Sequence, residues 1–174
     1  DWSMDTPHTG VMGYDTNYYK IPTAALTMED AMMLGRISDR GDKITLKLHM
    51  EAKTVGDRWS RNIVSEIKGH QYPEEIVVVG GHIDSWDVGQ GAHDDGGGCI
   101  ASWEVLRLIK ELGLKPKRTI RCVLWTNEEN GLKGSYAYRD MQMDELDNHV
   151  VAIESDAGVF APEGFGFSGS KDAR

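Results

Sequence analysis

The first third of the chain contains one helical pattern and one alternating pattern. Residues 1–23 are rich in Gly, Tyr, Asp and Thr without a clear period, which predicts a loop. Thr27 is followed three residues later by Asp30, a near match to the capping box that begins many helices, and the helical pattern fades at Arg40-Gly41. In residues 44–50 apolar side chains alternate with polar ones, and this period of two predicts a half-buried strand.

The rest of the chain alternates strand patterns with helical patterns. Strands are predicted at residues 62–67, 76–79, 119–125 and 150–153, and helices at residues 97–112 and 131–139. The β-branched run at 76–79 is typical of a strand covered on both faces, and the run at 150–153 is likewise read as a buried strand. The first of these helices carries one broad apolar face, made of Ile100, Val105, Leu108, Ile109 and Leu112. This order predicts an α/β fold with a mixed, largely parallel sheet flanked by helices.

Composition narrows the class of partner. The 174 residues include 19 Lys and Arg against 28 Asp and Glu, a formal net charge of −9. This charge argues against nucleic acid and against anionic membranes as partners, because phosphate binding needs a basic surface. No stretch approaches the roughly 18 uninterrupted apolar residues of a membrane span. The two cysteines, Cys99 and Cys122, are predicted to be buried free thiols.

Polar residues follow each strand predicted to be buried. His82 and Asp84 come after the first of them, the pair Glu128-Glu129 after the second, and Asp156 after the third. Ligands of open α/β sheets bind beyond the carboxyl ends of the strands, so these side chains are expected at one edge of the sheet. The loop before the helix at 97–112 adds Asp94 and Asp95.

Such a concentration of acids indicates a cation. Carboxylates close together raise one another's pKa, whereas a divalent cation brings carboxylates and imidazoles together. A set of His, Asp and Glu without Cys suits zinc or a similar divalent metal. Glycine is also concentrated here, with seven of the 19 residues from 80 to 98, and glycine allows the sharp turns that a metal loop needs.

Four spaced motifs then carry a family resemblance. They are Gly80-Gly81-His82-Ile83-Asp84-Ser85, Gly91-Ala92-x-Asp94-Asp95-x-x-Gly98, Glu128-Glu129-x-Gly131-x-x-Gly134-Ser135, and Asp156. In this order they resemble the M28 co-catalytic zinc exopeptidases, densely from about residue 60 onward. The resemblance implies that residues 1–55 are the end of an inserted protease-associated-type segment. It also implies that residues 56–174 are the N-terminal part of a metallopeptidase catalytic domain, so that the fold is incomplete at both ends.

The resemblance also implies a two-zinc site. His82 and Asp156 would hold one Zn²⁺ ion, Asp94 would bridge both ions, and Glu129 would bind the second. The peptide bond after Asp94 is expected to be cis. A further histidine, downstream in the family pattern, would complete the second site, and no histidine follows His149 in this chain.

Two further residues receive catalytic roles from the resemblance. Asp84 would accept the second ring N–H of His82 and so select its tautomer. Glu128 would be the general base that takes a proton from a water activated by the two ions. His93, Asp95, Asp87 and His149 are expected to be ordinary hydrogen-bonded or solvated side chains.

The implied activity is hydrolysis of dipeptides or short peptides, with carboxypeptidase-type cleavage preferred over aminopeptidase action. The family also suggests a secreted or lysosomal enzyme and a possible homodimer. Two alternatives stay open. One is a non-catalytic M28-like binding ectodomain, and the other is a one-metal enzyme like glutaminyl cyclase.

Overall fold

The computed structural model describes residues 13–53, 55–86 and 89–170, which fall into two compact units that meet in sequence between Arg58 and Trp59. The first unit contains helix α1, Met28–Asp39. The Thr27 hydroxyl accepts the N–H of Asp30 at 3.2 Å, so the capped start predicted from sequence is confirmed.

The strand predicted at residues 44–50 is wrong. These residues form no strand, and their apolar side chains Ile44, Leu46, Leu48 and Met50 are all exposed. An alternating pattern specifies which face could be buried, but a strand also requires a neighbouring strand to exchange main-chain hydrogen bonds. The local pattern carries no information about that neighbour.

The second unit is a four-stranded sheet with helices. Its elements in chain order are β1 Ile63–Ile67, β2 Tyr72–His82, α2 Gly97–Glu111, β3 Arg118–Trp125, α3 Lys133–Met141 and β4 His149–Glu154. The strand order is β1-β3-β2-β4, with β1 antiparallel to β3 and with β2 parallel to both β3 and β4. The predicted mixed, largely parallel α/β sheet is therefore confirmed.

The core lies between the sheet and α3. Ile76 and Val78 of β2 and Val123 and Trp125 of β3 form a buried cluster, against which Tyr138 of α3 packs. The rings of Trp125 and Tyr138 meet edge to face, with their centroids 5.2 Å apart. Helix α3 begins at Lys133 rather than at the predicted residue 131.

Helix α2 packs very closely on the sheet. The Ser102 hydroxyl donates to the Gly80 carbonyl at 2.9 Å, and a Cβ on Gly81 would lie only 2.7 Å from the amide nitrogen of Cys99. Because the helix lies so close to the sheet, three of its four buried residues are small. The buried residues are Gly98, Cys99, Ser102 and Leu106. The broad apolar face predicted from sequence points elsewhere, and its member Ile100 is 63% exposed.

Strand β4 differs from its prediction in a similar way. It pairs with β2 as expected, but its apolar residues Val150, Val151 and Ile153 are exposed, so the prediction of a buried strand is wrong. In the part of the chain that the structure describes, β4 is an edge strand. None of the described helices is long and apolar enough to cross a membrane.

Candidate metal centre

The sheet brings the loops after β2, β3 and β4 to one edge. His82 ends β2 and is paired in register with Trp125, which ends β3. Gly80, two residues earlier, is paired with Glu154 at the end of β4. The loops that carry Glu128 and Asp156 therefore begin on either side of His82, as the order of parallel strands predicts.

An imidazole and three carboxylates meet at this edge. The Nε2 atom of His82 lies 3.0 Å from Asp94 Oδ1, 3.1 Å from Asp156 Oδ1 and 4.0 Å from Glu128 Oε2. The potential ligand atoms of His82, Asp94 and Asp156 all lie within 4.8 Å of one another. His82 is buried, whereas the side chains of Asp94 and Asp156 are 56% and 44% exposed.

The other ring nitrogen settles which atom of His82 faces the carboxylates. Nδ1 lies 2.9 Å from the main-chain carbonyl oxygen of Asp84, which can only accept, so Nδ1 carries a hydrogen. The Asp84 carboxylate is farther away, with Oδ1 at 3.7 Å from Nδ1. The hydrogen bond expected for Asp84 is thus made by its main chain rather than by its side chain. The tautomer leaves Nε2 facing oxygens that only accept, a position that requires a proton or a cation.

The Asp84 carboxylate instead joins two loops. It accepts the main-chain N–H of Glu128 at 3.0 Å and that of Glu129 at 3.3 Å. The turn that carries these two glutamates starts at Asn127, whose φ of 60° is left-handed, a conformation that Asn tolerates better than most residues. These two hydrogen bonds therefore fix the main chain of both glutamates relative to the loop that follows β2.

Asp95, which was expected to be an ordinary hydrogen-bonded or solvated side chain, anchors the main chain at this site. Its fully buried carboxylate accepts the main-chain N–H of His82 at 3.0 Å and that of Gly98 at 2.9 Å. The Cys99 thiol donates to the carbonyl of His82, so both main-chain polar groups of this histidine are held. The peptide bond between Asp94 and Asp95 is cis, as predicted. The available signal was the position of Asp95 three residues before Gly98 at the start of α2, where an acid commonly accepts a free N–H.

The charges at the site perturb one another. Burial lowers the pKa of His82, but the hydrogen bond to the Asp84 carbonyl and the negative charge of Asp156 outweigh it and raise that pKa to about 9. Burial also raises the pKa of Glu128, and neighbouring carboxylates, including Asp156, add to the increase. A divalent cation among these groups would relieve their mutual repulsion.

Glu129 provides the observation that favours a second cation. Its Oε1 atom is buried without a hydrogen-bond partner among the described residues. Burial and then the charge of Asp94 raise the pKa of this carboxyl group. A buried carboxylate oxygen without a donor is costly unless an ion binds it. The donor set of imidazole and carboxylate without thiolate fits zinc or a similar divalent metal.

The remaining candidates differ in their surroundings. His149 is hydrogen-bonded to the Tyr138 hydroxyl and to the Glu145 carbonyl, each at 2.9 Å, as expected for an ordinary side chain. His93 packs its ring against Phe160. Asp87 lies outside the described residues.

These features define an α/β protein with an imidazole and several carboxylates at the carboxyl edge of its sheet, a group that could hold a divalent metal ion. The model of peptidase family M28 matches residues 62–174. The chain therefore belongs to peptidase family M28.

Relatives with known names agree with this assignment. Carboxypeptidase Q of Homo sapiens is 53% identical over 173 residues, which are 99% of this chain and 37% of that protein. The probable leucine aminopeptidase 2 of Aspergillus oryzae is 32% identical over 65% of this chain and 22% of its own length. The chain thus spans little more than a third of the length of the carboxypeptidase Q relatives it matches.

Solved structures show the same fold. A peptidase M28 precursor from Shewanella amazonensis matches with a TM-score of 0.81 and 38% identity over 87% of this chain and 34% of its own. A zinc aminopeptidase from Bacillus subtilis matches with a TM-score of 0.51 and 32% identity, over 55% of this chain and 24% of its own.

Proposed function

We propose that this chain contributes most of the catalytic centre of a zinc-dependent exopeptidase that hydrolyses dipeptides or short peptides. The observation that carries the proposal is the convergence of Asp94, Asp156 and Glu128 on the Nε2 nitrogen of one buried histidine. Under this proposal residues 1–55 are the end of an inserted protease-associated-type segment. Residues 56–174 are the N-terminal part of the catalytic domain.

His82, Asp94 and Asp156 would hold one zinc ion, and Asp94 together with Glu129 would hold a second. We expect a histidine from outside the 174 residues to complete the second site. Zinc bound there would supply Lewis acidity, which lowers the pKa of a water and polarises the carbonyl of the scissile bond. The unpartnered Glu129 oxygen supports two ions rather than the single ion of a glutaminyl-cyclase-like enzyme.

Glu128 is the general base of this proposal. Its carboxylate is held beside the proposed ligands because its main-chain N–H donates to Asp84, and its Oε2 atom lies 4.0 Å from Nε2 of His82. Burial raises the pKa of Glu128, which brings it closer to the working pH of a proton-transfer group. It would take a proton from the attacking water and return it to the leaving amine.

The substrate class follows from the named relatives. Identity to carboxypeptidase Q is 53%, against 32% to the leucine aminopeptidase, which supports carboxypeptidase-type cleavage of peptides with free termini. We propose a secreted or lysosomal location and a homodimer on the same resemblance. A non-catalytic ectodomain is the less favoured alternative, because a binding module has no use for the base at Glu128.

Substitution Glu128→Gln tests the proposal, because it keeps the shape of the side chain and removes its proton affinity. We expect turnover of dipeptides to fall about 10²- to 10⁴-fold, the usual contribution of a general base, with zinc content unchanged. The matched control is Glu111→Gln, at an exposed residue at the end of α2. Wild-type turnover in the Glu128 variant would remove the base assignment. Both variants are made in the full-length protein, because the second zinc site takes a histidine from outside the 174 residues. A full-length wild-type protein that binds no zinc or cleaves no peptide would contradict the function itself.

A further inference from the structure

A ring contact joins the loop that carries Asp94 to the loop that carries Asp156. The ring of His93, directly before Asp94, meets the ring of Phe160 edge to face, with centroids 4.7 Å apart and planes at 74°. Phe160 lies four residues after Asp156. The two loops have no other ring contact among the described residues.

Gly158 fits beneath the same imidazole. A Cβ at this position would lie 2.7 Å from Cε1 and 2.8 Å from Cδ2 of His93, closer than real carbon atoms approach. The φ of Gly158 is 84°, in the left-handed region that favours glycine. The imidazole therefore rests directly on the main chain two residues beyond Asp156.

The contact continues along both segments. A Cβ on Gly97 would meet the side chain of Val159, and a Cβ on Gly98 would overlap the carbonyl oxygen of Ser155. Residues 155–160, which we call the β4 loop, thus lie along residues 93–98. At one end of this contact the exposed His93 ring packs against the main chain of Gly158 and the exposed ring of Phe160.

We propose that His93 is a positioning residue of the zinc site, whose ring sets the separation between the Asp94 and Asp156 carboxylates. Both carboxylates are about half exposed and both are negative, so they repel each other and need their main chains to be held in place. His93 supplies that restraint by packing, not by binding zinc. The inference rests on the zinc site of the proposed function.

The zinc affinity of two His93 variants tests the role of the ring. We expect His93→Ala to weaken zinc binding about 10-fold, at the low end of the effect of residues that orient metal ligands. His93→Phe keeps a ring at the contact and should bind zinc within about 3-fold of wild type. His70→Ala is the control, because the His70 ring is hydrogen-bonded to the Pro116 carbonyl. His70 lies just before the start of β2, at the end of the strand opposite to His82.

Cobalt provides a second measurement, because the visible spectrum of bound Co²⁺ reports the geometry of its ligands. The spectrum should change in His93→Ala and be restored in His93→Phe. If His93→Phe binds as weakly as His93→Ala, the ring nitrogens matter and the proposal is wrong. Wild-type affinity and spectrum in His93→Ala would equally overturn it.

A double-mutant cycle with Gly158→Ala isolates the contact itself. In the wild-type background the new Cβ collides with the imidazole, whereas in the His93→Ala background only the left-handed φ opposes it. We therefore expect Gly158→Ala to weaken zinc binding several-fold more when His93 is present. Equal losses in both backgrounds would contradict the contact. If wild-type protein itself bound no zinc, the failure would lie in the proposed function instead.

Discussion

Asp95→Asn should destabilise the protein, although the substitution changes only one atom and a charge. The Asp95 carboxylate is completely buried and uses both oxygens, one for the N–H of His82 and one for the N–H of Gly98. Asparagine has a single acceptor oxygen. In either orientation of its amide, one main-chain N–H would face an NH₂ group that cannot accept it.

The expected cost follows from that count. Losing one hydrogen bond to a charged acceptor in a buried place costs about 1.5–3 kcal/mol. With a urea m-value of about 2 kcal/mol/M for a small protein, the midpoint of unfolding should fall by about 0.75–1.5 M. Zinc affinity should fall as well, by about 10-fold, because the main chain of His82, a proposed zinc ligand, loses its anchor.

Urea unfolding followed by circular dichroism measures the first effect, and competition with a chelating dye measures the second. Asp147→Asn is the matched control, since Asp147 is exposed and its substitution should leave both quantities near wild type. A midpoint for Asp95→Asn within about 0.2 M of the control, well under the shift expected for one lost hydrogen bond, would refute the reasoning that both oxygens are needed.

Two further predictions concern the packing of α2. Gly98→Ala should destabilise the protein by about 1–3 kcal/mol or more in thermal unfolding, because the new Cβ would overlap the Ser155 carbonyl. The control Gly35→Ala, at a helical glycine with open space around it, should not destabilise the protein. Cys99 and Cys122 should not react with a thiol reagent in native buffer and should react fully in guanidinium. Burial raises the pKa of both thiols, that of Cys99 to about 11, and a native reaction within minutes would show that the helix opens.

The candidate site could be predicted well from sequence because its parts are local. His82, the glutamate pair at 128–129 and Asp156 each follow the end of an apolar strand run, and parallel strands bring their carboxyl ends to one edge. The family resemblance implied that His82, Asp94 and Asp156 bind one ion, and the structure brings their ligand atoms together. The cis peptide bond after Asp94 was inferred from family resemblance, not from the local pattern.

The hydrogen bonds that hold the site residues in place could not be predicted in the same way. Asp84 and Asp95 each accept two main-chain hydrogen bonds, and most of these donors are more than ten residues away in sequence. An acidic residue next to a ligand is consistent with several partners, and only the folded loops determine which N–H groups come within reach. The side chain of Asp84 was therefore expected at the imidazole, while the structure places it at the glutamate turn.

The sequence alone determined the order of helices and strands from residue 62 onward, the identity of the metal-type donors and the edge of the sheet where they gather. Periodicity, helix caps and strand ends depend on residues that are neighbours in sequence, so the sequence alone can predict them. The tertiary structure decided which face of α2 is buried, because Gly81 lies directly against Gly98 and Cys99 and leaves room only for small side chains there. It also decided that residues 44–50 form no strand and that β4 stays exposed, because burial depends on distant partners that no local pattern contains.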